Sequence, residues 1–127
     1  MNIRYIIGGV DTPLLTGCKQ SGCHAAITTT DFAGSSTTPV GAQTAVRQNL
    51  DTLTQLLAAR GWIDTVSTSP NFGLVKIVGG KRVIKPAIKA GALYNFFFVQ
   101  HDLSDGVHNT KYAMELLRSS IAELRKP

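Results

Sequence analysis

Two cysteines and a histidine stand close together in the N-terminal part of the chain. Four residues separate Cys18 from Cys23, and His24 directly follows the second cysteine. A c-type haem is held by thioether bonds to two cysteines, and the histidine after the second one gives its imidazole to the iron. The usual spacing is Cys-x-x-Cys-His, and the wider spacing found here is a known variant. The motif favours one covalent haem c, with His24 as the proximal ligand.

Other roles for the two cysteines stay open. A disulfide between Cys18 and Cys23 would close a small loop. Zinc would need both cysteines and two of the histidines His24, His101 and His108, but zinc knuckles usually have a spaced histidine pair. A redox dithiol usually has Cys-x-x-Cys at a helix start after a strand. A zinc or disulfide domain without haem, with a structural role, is therefore the alternative to haem attachment.

Composition limits the class of protein. The chain has 127 residues, of which 43% are hydrophobic and 17% charged. This length suits a single domain over residues 1–127, and the composition is too apolar for a disordered chain. Two cysteines are too few for a disulfide scaffold. No apolar run approaches the roughly 20 residues that a membrane helix needs, so we expect no membrane span.

The positive charge is confined to one segment. The net charge is +5, with 13 Lys and Arg against 8 Asp and Glu. No acidic residue lies between Thr65 and His101, and the basic residues there are Lys76, Lys81, Arg82, Lys85 and Lys89. No nucleic-acid-binding signature accompanies them, so we expect no nucleic-acid partner. The segment is a solvated face, a set of partners for haem propionates, or a docking patch for an acidic redox protein.

The order of elements predicts a mainly α fold. Residues 1–40 are rich in Gly, Thr and Ser and predict a haem-attachment loop region, with one short strand in Asn2–Ile7. Residues 41–127 predict three helices. The first has its start signal at Thr38 before Pro39 and ends at Gly61, the second opens at Pro86 with an apolar surface so wide that it should be central, and the third begins near His108 or Asn109. Residues 74–85 predict a β-hairpin around Gly79-Gly80, in which Val78 opposes Lys81 and Val75 opposes Ile84. We therefore expect a small helical haem-binding domain with a long N-terminal loop and one β-hairpin.

The C-terminal third carries a more specific pattern. It reads Ala-Leu-Tyr-Asn-Phe at 92–96, Asp-Leu-Ser-Asp-Gly-Val-His-Asn-Thr-Lys-Tyr-Ala at 102–113, and Leu-Leu at 116–117. This resembles the multihaem c-type cytochromes of metal-respiring bacteria, in which an Ala-x-Tyr-Asn helix leads into Asp-x-Ser-x-Gly-Val-His-Asn-Pro-x-Tyr. The stretch at 48–63 also resembles the preceding helix of that family. Here Thr110 replaces the proline, and two cysteines allow one haem where the family carries several.

The resemblance implies that His108 is the distal haem ligand. The function of the chain would then be electron transfer by a haem with bis-His ligation, without enzymatic activity. Its partner would be a redox protein or a neighbouring cytochrome. The chain itself would form a homo-oligomer or be part of a longer multihaem chain. His101 and Met114 are the weaker candidates for the distal position, and core packing is the preferred interpretation of Met114. Asp102 and Asp105 would either hydrogen-bond an imidazole or cap the last helix.

A second function stays open beside electron transfer. With an empty distal position, a five-coordinate haem would suit a gas sensor or a weak peroxidase. Haem c is attached outside the cytoplasm, so we expect a periplasmic or extracellular location. No signal peptide is visible at the N-terminus, and we expect it to have been removed or to lie outside the sequence.

Overall fold

The computed structural model of the protein describes residues 4–7, 9–13, 15–19, 27, 29–31, 40–107 and 109–127. Its first elements are two short antiparallel strands, β1 (Arg4–Ile7) and β2 (Val10–Pro13), paired from Arg4 with Pro13 to Ile7 with Val10. A single-turn helix, α1 (Thr16–Lys19), follows. The strand predicted in Asn2–Ile7 is found as β1. The β2 strand and α1 were expected to be loop, because a short polar segment ending in proline carries no apolar alternation.

Helix α2 (Ala42–Ala59) is the first long helix, and it ends where the sequence indicates. Gly61 takes a left-handed φ of 62°. Its amide donates to the carbonyl of Ala58 at 2.8 Å, and the amide of Trp62 donates to that of Leu57 at 3.0 Å. This pair of bonds is a Schellman motif. It explains why Gly61 is the stop signal and why Trp62 folds back toward the helix.

Helices α3 (Ala87–His101) and α4 (Thr110–Arg125) complete the bundle. Helix α4 packs against both α2 and α3, whereas α2 and α3 contact each other over a shorter stretch. The central helix is thus α4, and the prediction that α3 is central is wrong. The apolar surface of α3 is wider than its buried face, because Ile88 is 61% exposed and Phe98 is 49% exposed.

The hydrophobic core lies between the three long helices. Its members alternate at intervals of three and four residues on each helix, as amphipathic helices require. The core consists of Val46, Leu53, Leu57, Ile63, Ala92, Leu93, Phe96, Val99, Ala113, Leu117, Ile121 and Leu124. Among the residues that the structure describes, no helix is both long and apolar enough to cross a membrane.

The β-hairpin predicted over 74–85 is not confirmed. Gly79 and Gly80 form the expected turn, with φ of 63° and 78°, and Val78 pairs with Lys81 as predicted. No ladder continues from that pair. Val75 pairs with Ile63 instead of Ile84. The backbone groups of Lys76 are bonded outside the hairpin ladder. Its amide donates to the carbonyl of Trp62 at 2.8 Å, and its carbonyl accepts from the Arg82 guanidinium at 2.8 Å.

Candidate functional site

The predicted haem ligands are only partly within the described residues. The backbone of Cys18 lies in α1, where the amide of Lys19 donates to the carbonyl of Leu15 at 2.9 Å. Cys23, His24 and His108 lie outside the described residues. The site is therefore built from the segments that flank them.

Two residues that follow His24 in the sequence, Thr30 and Asp31, are bonded to the N-terminal end of α2. Ile27 and Thr30 are buried, at 8% and 3% exposure. The Thr30 hydroxyl donates a 2.8 Å hydrogen bond to the side-chain oxygen of Gln43, which is itself buried. A buried hydroxyl without a partner would cost about 1–3 kcal/mol, so this bond fixes where the segment lies on the helix.

The other end of the Gln43 amide reaches the segment before His108. Its nitrogen donates to the main-chain carbonyl of Ser104 at 3.3 Å. Ser104 is 5% exposed, so the whole connection is shielded from water. Thr30, Gln43 and Ser104, here called the Gln43 bridge, thus tie together two segments that are far apart in the sequence.

The segment 102–107, here called the ligand turn, is fixed by its own hydrogen bonds. The Ser104 hydroxyl donates to the carboxylate of Asp102 and accepts from the amide of Gly106 at 3.2 Å. The amide of Val107 donates to the main-chain carbonyl of Ser104 at 3.1 Å, and the amide of Asn109 donates to the carbonyl of Gly106 at 3.2 Å. The main chain is therefore held on both sides of position 108.

Backbone strain is concentrated in the ligand turn. Leu103 and Asp105 have left-handed φ values of 55° and 49°, which cost energy in any residue other than glycine. Gly106 is left-handed as well, and a Cβ on it would lie 3.0 Å from a methyl carbon of Val46 and 3.2 Å from the Cβ of Ala113. Strain of this kind persists where the surrounding structure imposes it, and it is typical of functional sites.

A carboxylate from the N-terminal region caps α2. One oxygen of Asp31 accepts from the amide of Thr44 at 3.0 Å, and the other accepts from the Thr44 hydroxyl. Partial burial raises the pKa of Asp31. Hydrogen bonds from Thr44 and Gln43, with the charge of Arg47, outweigh that effect and hold the pKa below 3.8. The start signal expected at 38–39 lies outside the described residues.

An ion pair links α2 to the ligand turn. The guanidinium of Arg47 donates to one carboxylate oxygen of Asp105 at 2.5 Å and 3.0 Å. Both side chains are partly exposed, at 42% and 24%, so the pair is worth about 1 kcal/mol or less. Neither Asp102 nor Asp105 caps α4, whose N-cap is Asn109 without a side-chain bond.

Exposed aromatic rings surround the outer side of the ligand turn. Tyr94 and Phe98 on α3 stack with centroids 6.3 Å apart, and Phe98 meets Tyr112 of α4 edge-on at 6.3 Å. We call these three residues the aromatic face. A hollow of about 100 Å³ opens beside it, lined in part by Gly106 and Asn109 of the chain around position 108.

The two weaker candidates for the distal ligand lie elsewhere. His101 is the exposed last residue of α3, with its ring 5.6 Å from that of Phe97. A histidine at a helix C-terminus is favourable because of the helix dipole. Met114 packs against the core, and its sulfur accepts a weak hydrogen bond from Asn49 at 3.8 Å. Core packing was the preferred interpretation of Met114, and it is confirmed.

The basic residues between 65 and 101 divide into two groups. Arg82 donates to the carbonyl of Gly61 at 2.7 Å, and Lys89 donates to that of Pro127 at 3.1 Å. Lys76, Lys81 and Lys85 are exposed. Gly61 adjoins the C-terminal end of α2, and the Gln43 bridge lies at the N-terminal end of the same helix. At a rise of 1.5 Å per residue, Gly61 and Gln43 are about 27 Å apart.

Sequence reasoning missed the roles of Thr30, Asp31 and Gln43. Gln43 had a recognisable signal, because positions 43, 46, 50, 53 and 57 are spaced as one helix face and only the first is polar. A polar side chain at a stripe position needs a buried partner. Thr30 and Asp31 had no such signal, since serine- and threonine-rich loops do not show which hydroxyl becomes buried.

No family model, curated protein or solved structure matches the chain. Among the described ranges, which omit Cys23, His24 and His108, no three His, Cys, Asp or Glu side chains are grouped so that they could hold a metal ion.

Proposed function

We propose that this chain is an electron-transfer domain with one covalent haem c. Cys18 and Cys23 would hold it through thioethers, and His24 and His108 would be its axial ligands. A haem with two imidazole ligands supplies reversible one-electron transfer and has no open position for oxygen or peroxide. The chain is then a carrier in the periplasm or outside the cell, and a neighbouring cytochrome or another redox protein is its partner.

The Gln43 bridge is the observation that carries the proposal. If His24 and His108 both held one iron, the segments that bear them would have to converge. The segment from His24 to Thr30 and the segment from Ser104 to His108 are short. Both are bonded to the same buried amide of Gln43. This convergence is what bis-His ligation by His24 and His108 requires of the fold.

The apolar surface beside the ligand turn also suits a haem. A porphyrin is flat and largely apolar, and it is stable in water only when its faces are covered. Tyr94, Phe98 and Tyr112 are 69%, 49% and 49% exposed, which is costly without a covering group. The adjoining hollow has apolar walls from Val99 and Ala113. These features support a macrocycle near the turn.

The residues of the turn would keep the distal ligand in place. The hydrogen bonds of Ser104, Val107 and Asn109 fix the main chain on both sides of position 108. Arg47 holds the turn against α2 through Asp105. A ligand whose main chain is held in this way stays in one geometry when the iron changes its charge, as efficient electron transfer requires.

The decisive experiment is expression with a haem-attachment system, followed by an absorption spectrum and the intact mass. We expect the mass increase of one haem and a low-spin spectrum. The double variant Cys18→Ser, Cys23→Ser should lose the added mass. A colourless wild-type protein without the mass increase would end the proposal and favour the zinc or disulfide domain.

The distal ligand is tested by two matched variants. His108→Ala should convert the low-spin spectrum to high-spin, while His101→Ala should leave it unchanged. Carbon monoxide should bind rapidly to reduced His108→Ala and slowly or not at all to the wild type. Rapid stoichiometric binding to the wild type would contradict bis-His ligation and favour the five-coordinate sensor or peroxidase.

A further inference from the structure

The segment 74–85, here called the ribbon, exposes several large aliphatic side chains, while Val75 and Ile84 pack against the core. Ile77, Val78 and Val83 are 55%, 64% and 63% exposed. Leu74 and the neighbouring Phe72 are exposed as well. Several large apolar side chains exposed on one short segment are a candidate binding surface. The ribbon lies by the C-terminal end of α2, far from the Gln43 bridge, so the haem proposal does not account for it.

The ribbon is firmly attached at its base. Asp64 and Leu74 pair, with the amide of Asp64 donating to the carbonyl of Leu74 at 2.8 Å, and Lys76 pairs with Trp62 in the same way. Arg82 ties the second limb to Gly61 and to Lys76. The exposed aliphatic groups are therefore presented by an anchored backbone, and burying them would require that anchorage to break.

The ribbon offers a backbone edge as well as apolar side chains. On the first limb of the ribbon, the amide of Ile77 donates to no protein acceptor among the residues that the structure describes. An unpaired amide beside exposed aliphatic side chains can pair with an added strand. A hollow of about 590 Å³ adjoins this limb. Leu74, Ile77 and Phe97 form its apolar wall, Asp64, Asn71 and Lys76 are its polar lining, and it gives space for a partner's side chain.

Charge defines the partner. Lys76, Lys81 and Lys85 are exposed on the ribbon or at its end, and no acidic residue lies between 65 and 101. The nearby Asp64 carboxylate is engaged by the Ser69 hydroxyl at 2.6 Å. A strand that adds here therefore meets aliphatic groups flanked by positive charge, which acidic side chains complement.

We propose that the ribbon is a docking site for an extended, acidic and aliphatic segment of a partner protein, which adds to it as a β-strand. Backbone hydrogen bonding to Ile77 would set the register, aliphatic side chains would enter the hollow, and carboxylates would face Lys81 and Lys85. A membrane surface offers no partner for strand amides, so the free edge favours a protein. The proposal does not depend on haem attachment, and it can be tested in the haem-free protein.

The chain provides its own reporter for the test. Trp62 is the only tryptophan, and its carbonyl is bonded to Lys76 at the base of the ribbon. The probe is a short synthetic peptide of alternating glutamate and valine, titrated against the full chain while Trp62 fluorescence is followed. We expect saturable binding that weakens by about tenfold at high salt, where exposed charges are screened.

Three comparisons separate strand addition from general attraction. Lys81→Glu with Lys85→Glu should weaken peptide binding by about tenfold or more. The control Lys111→Glu with Arg118→Glu makes the same change in net charge on exposed positions of α4 and should have little effect. A peptide with N-methylated valines, which cannot pair along that edge, should also bind at least tenfold more weakly.

Defined results would overturn the proposal. They are no saturable change in Trp62 emission, equal binding of the N-methylated peptide, or equal loss in the α4 control. Tighter binding to vesicles of phosphatidylcholine and phosphatidylserine than to the peptide would also overturn it, because the ribbon would then be a membrane contact. Haem attachment has no part in any of these outcomes.

Discussion

The two ends of α2 face the same physical problem, since each terminus of a helix leaves backbone groups without partners inside the helix. At the C-terminal end the solution is local: Gly61 and Trp62 close the helix through a Schellman motif. At the N-terminal end it is remote, because the carboxylate of Asp31 caps the helix and Gln43 bonds both Thr30 and Ser104. One end is encoded by neighbouring residues, and the other joins three separate segments.

The difference extends to the surroundings of the two ends. Around the Gln43 bridge, polar groups are buried and paired, and among the described residues no buried side-chain nitrogen or oxygen lacks a partner. Around the ribbon, several aliphatic side chains are exposed, and among the described residues the Ile77 amide has no protein acceptor. Removing one of several buried, mutually bonded polar groups leaves the others without a partner, whereas replacing an exposed side chain changes few contacts. The comparison therefore predicts that substitutions in the Gln43 bridge cost more stability than substitutions of exposed ribbon side chains.

Among substitutions in the Gln43 bridge and the ribbon, the largest effect is expected from Gln43→Leu. This substitution leaves the Thr30 hydroxyl and the Ser104 carbonyl without their partner, so we expect a loss of about 2–4 kcal/mol in the free energy of unfolding. Urea denaturation measures it. The control Thr30→Val removes one partner only and should cost less. If haem is attached as proposed, Gln43→Leu should also increase the high-spin fraction. An unchanged stability would show that the bridge does not hold the segments.

Gly41→Ala should have an intermediate effect whose sign depends on Asp31. The backbone of Gly41 suits alanine, with φ −61° and ψ 156°. An added Cβ, however, would lie 2.1 Å from the Asp31 carboxylate. Displacing that cap should cost about 1–2 kcal/mol. In an Asp31→Ala background the obstacle is gone, so Gly41→Ala should stabilise by about 0.4–1 kcal/mol. Additive effects in the double variant would contradict this explanation.

These two variants also mark what the sequence could predict. Helices α2, α3 and α4 were predictable because apolar residues at intervals of three and four residues indicate which face of each helix is buried. Gly61 was recognisable as a stop because its role is local. The cap from Asp31 and the bond from Thr30 were not predictable, since each depends on a contact across the fold that leaves no periodic pattern in a threonine-rich loop.

The ribbon was only half predictable for a related reason. The Gly79-Gly80 turn is local, and it forms. Its ladder depends on competition for the groups of Lys76, which Trp62 and Arg82 take. The candidate haem ligands are a third case. The Cys-x-x-x-x-Cys-His motif can be found in the sequence alone and predicts haem attachment, whereas the predicted pairing of His24 with His108 depends on how the fold brings distant segments together.

A smaller effect is expected from acid. Although partial burial raises the pKa of Asp31, its hydrogen bonds and Arg47 hold it below 3.8 in the folded chain. A lowered pKa contributes stability that is full above the unfolded-state value and is lost as the pH falls through the folded-state value. Stability should therefore decline below about pH 4, and less so in Asp31→Asn, which keeps a capping oxygen but does not titrate. Urea denaturation between pH 5 and pH 2 measures this.

Gly41→Ala provides the control for the acid effect. Because its Cβ displaces the Asp31 carboxylate, this variant should show the same flattened dependence on pH as Asp31→Asn. An equal decline in the wild type and both variants would assign the acid sensitivity to other carboxylates, such as that of Asp64. The Ser69 hydroxyl, followed by the Val66 amide, lowers the pKa of Asp64.

The smallest effect is expected at the opposite end of α2. Ile77→Ser with Val83→Ser should change the free energy of unfolding by less than about 0.5 kcal/mol per substitution, because both side chains are more than half exposed, at 55% and 63%. Leu57→Ala, at the same end of the helix but 0% exposed, should cost about 2–5 kcal/mol. If the serine variant were strongly destabilised, the ribbon would be part of the fold. If the serine variant remains stable and loses peptide binding, the aliphatic side chains of the ribbon form a binding surface for a partner.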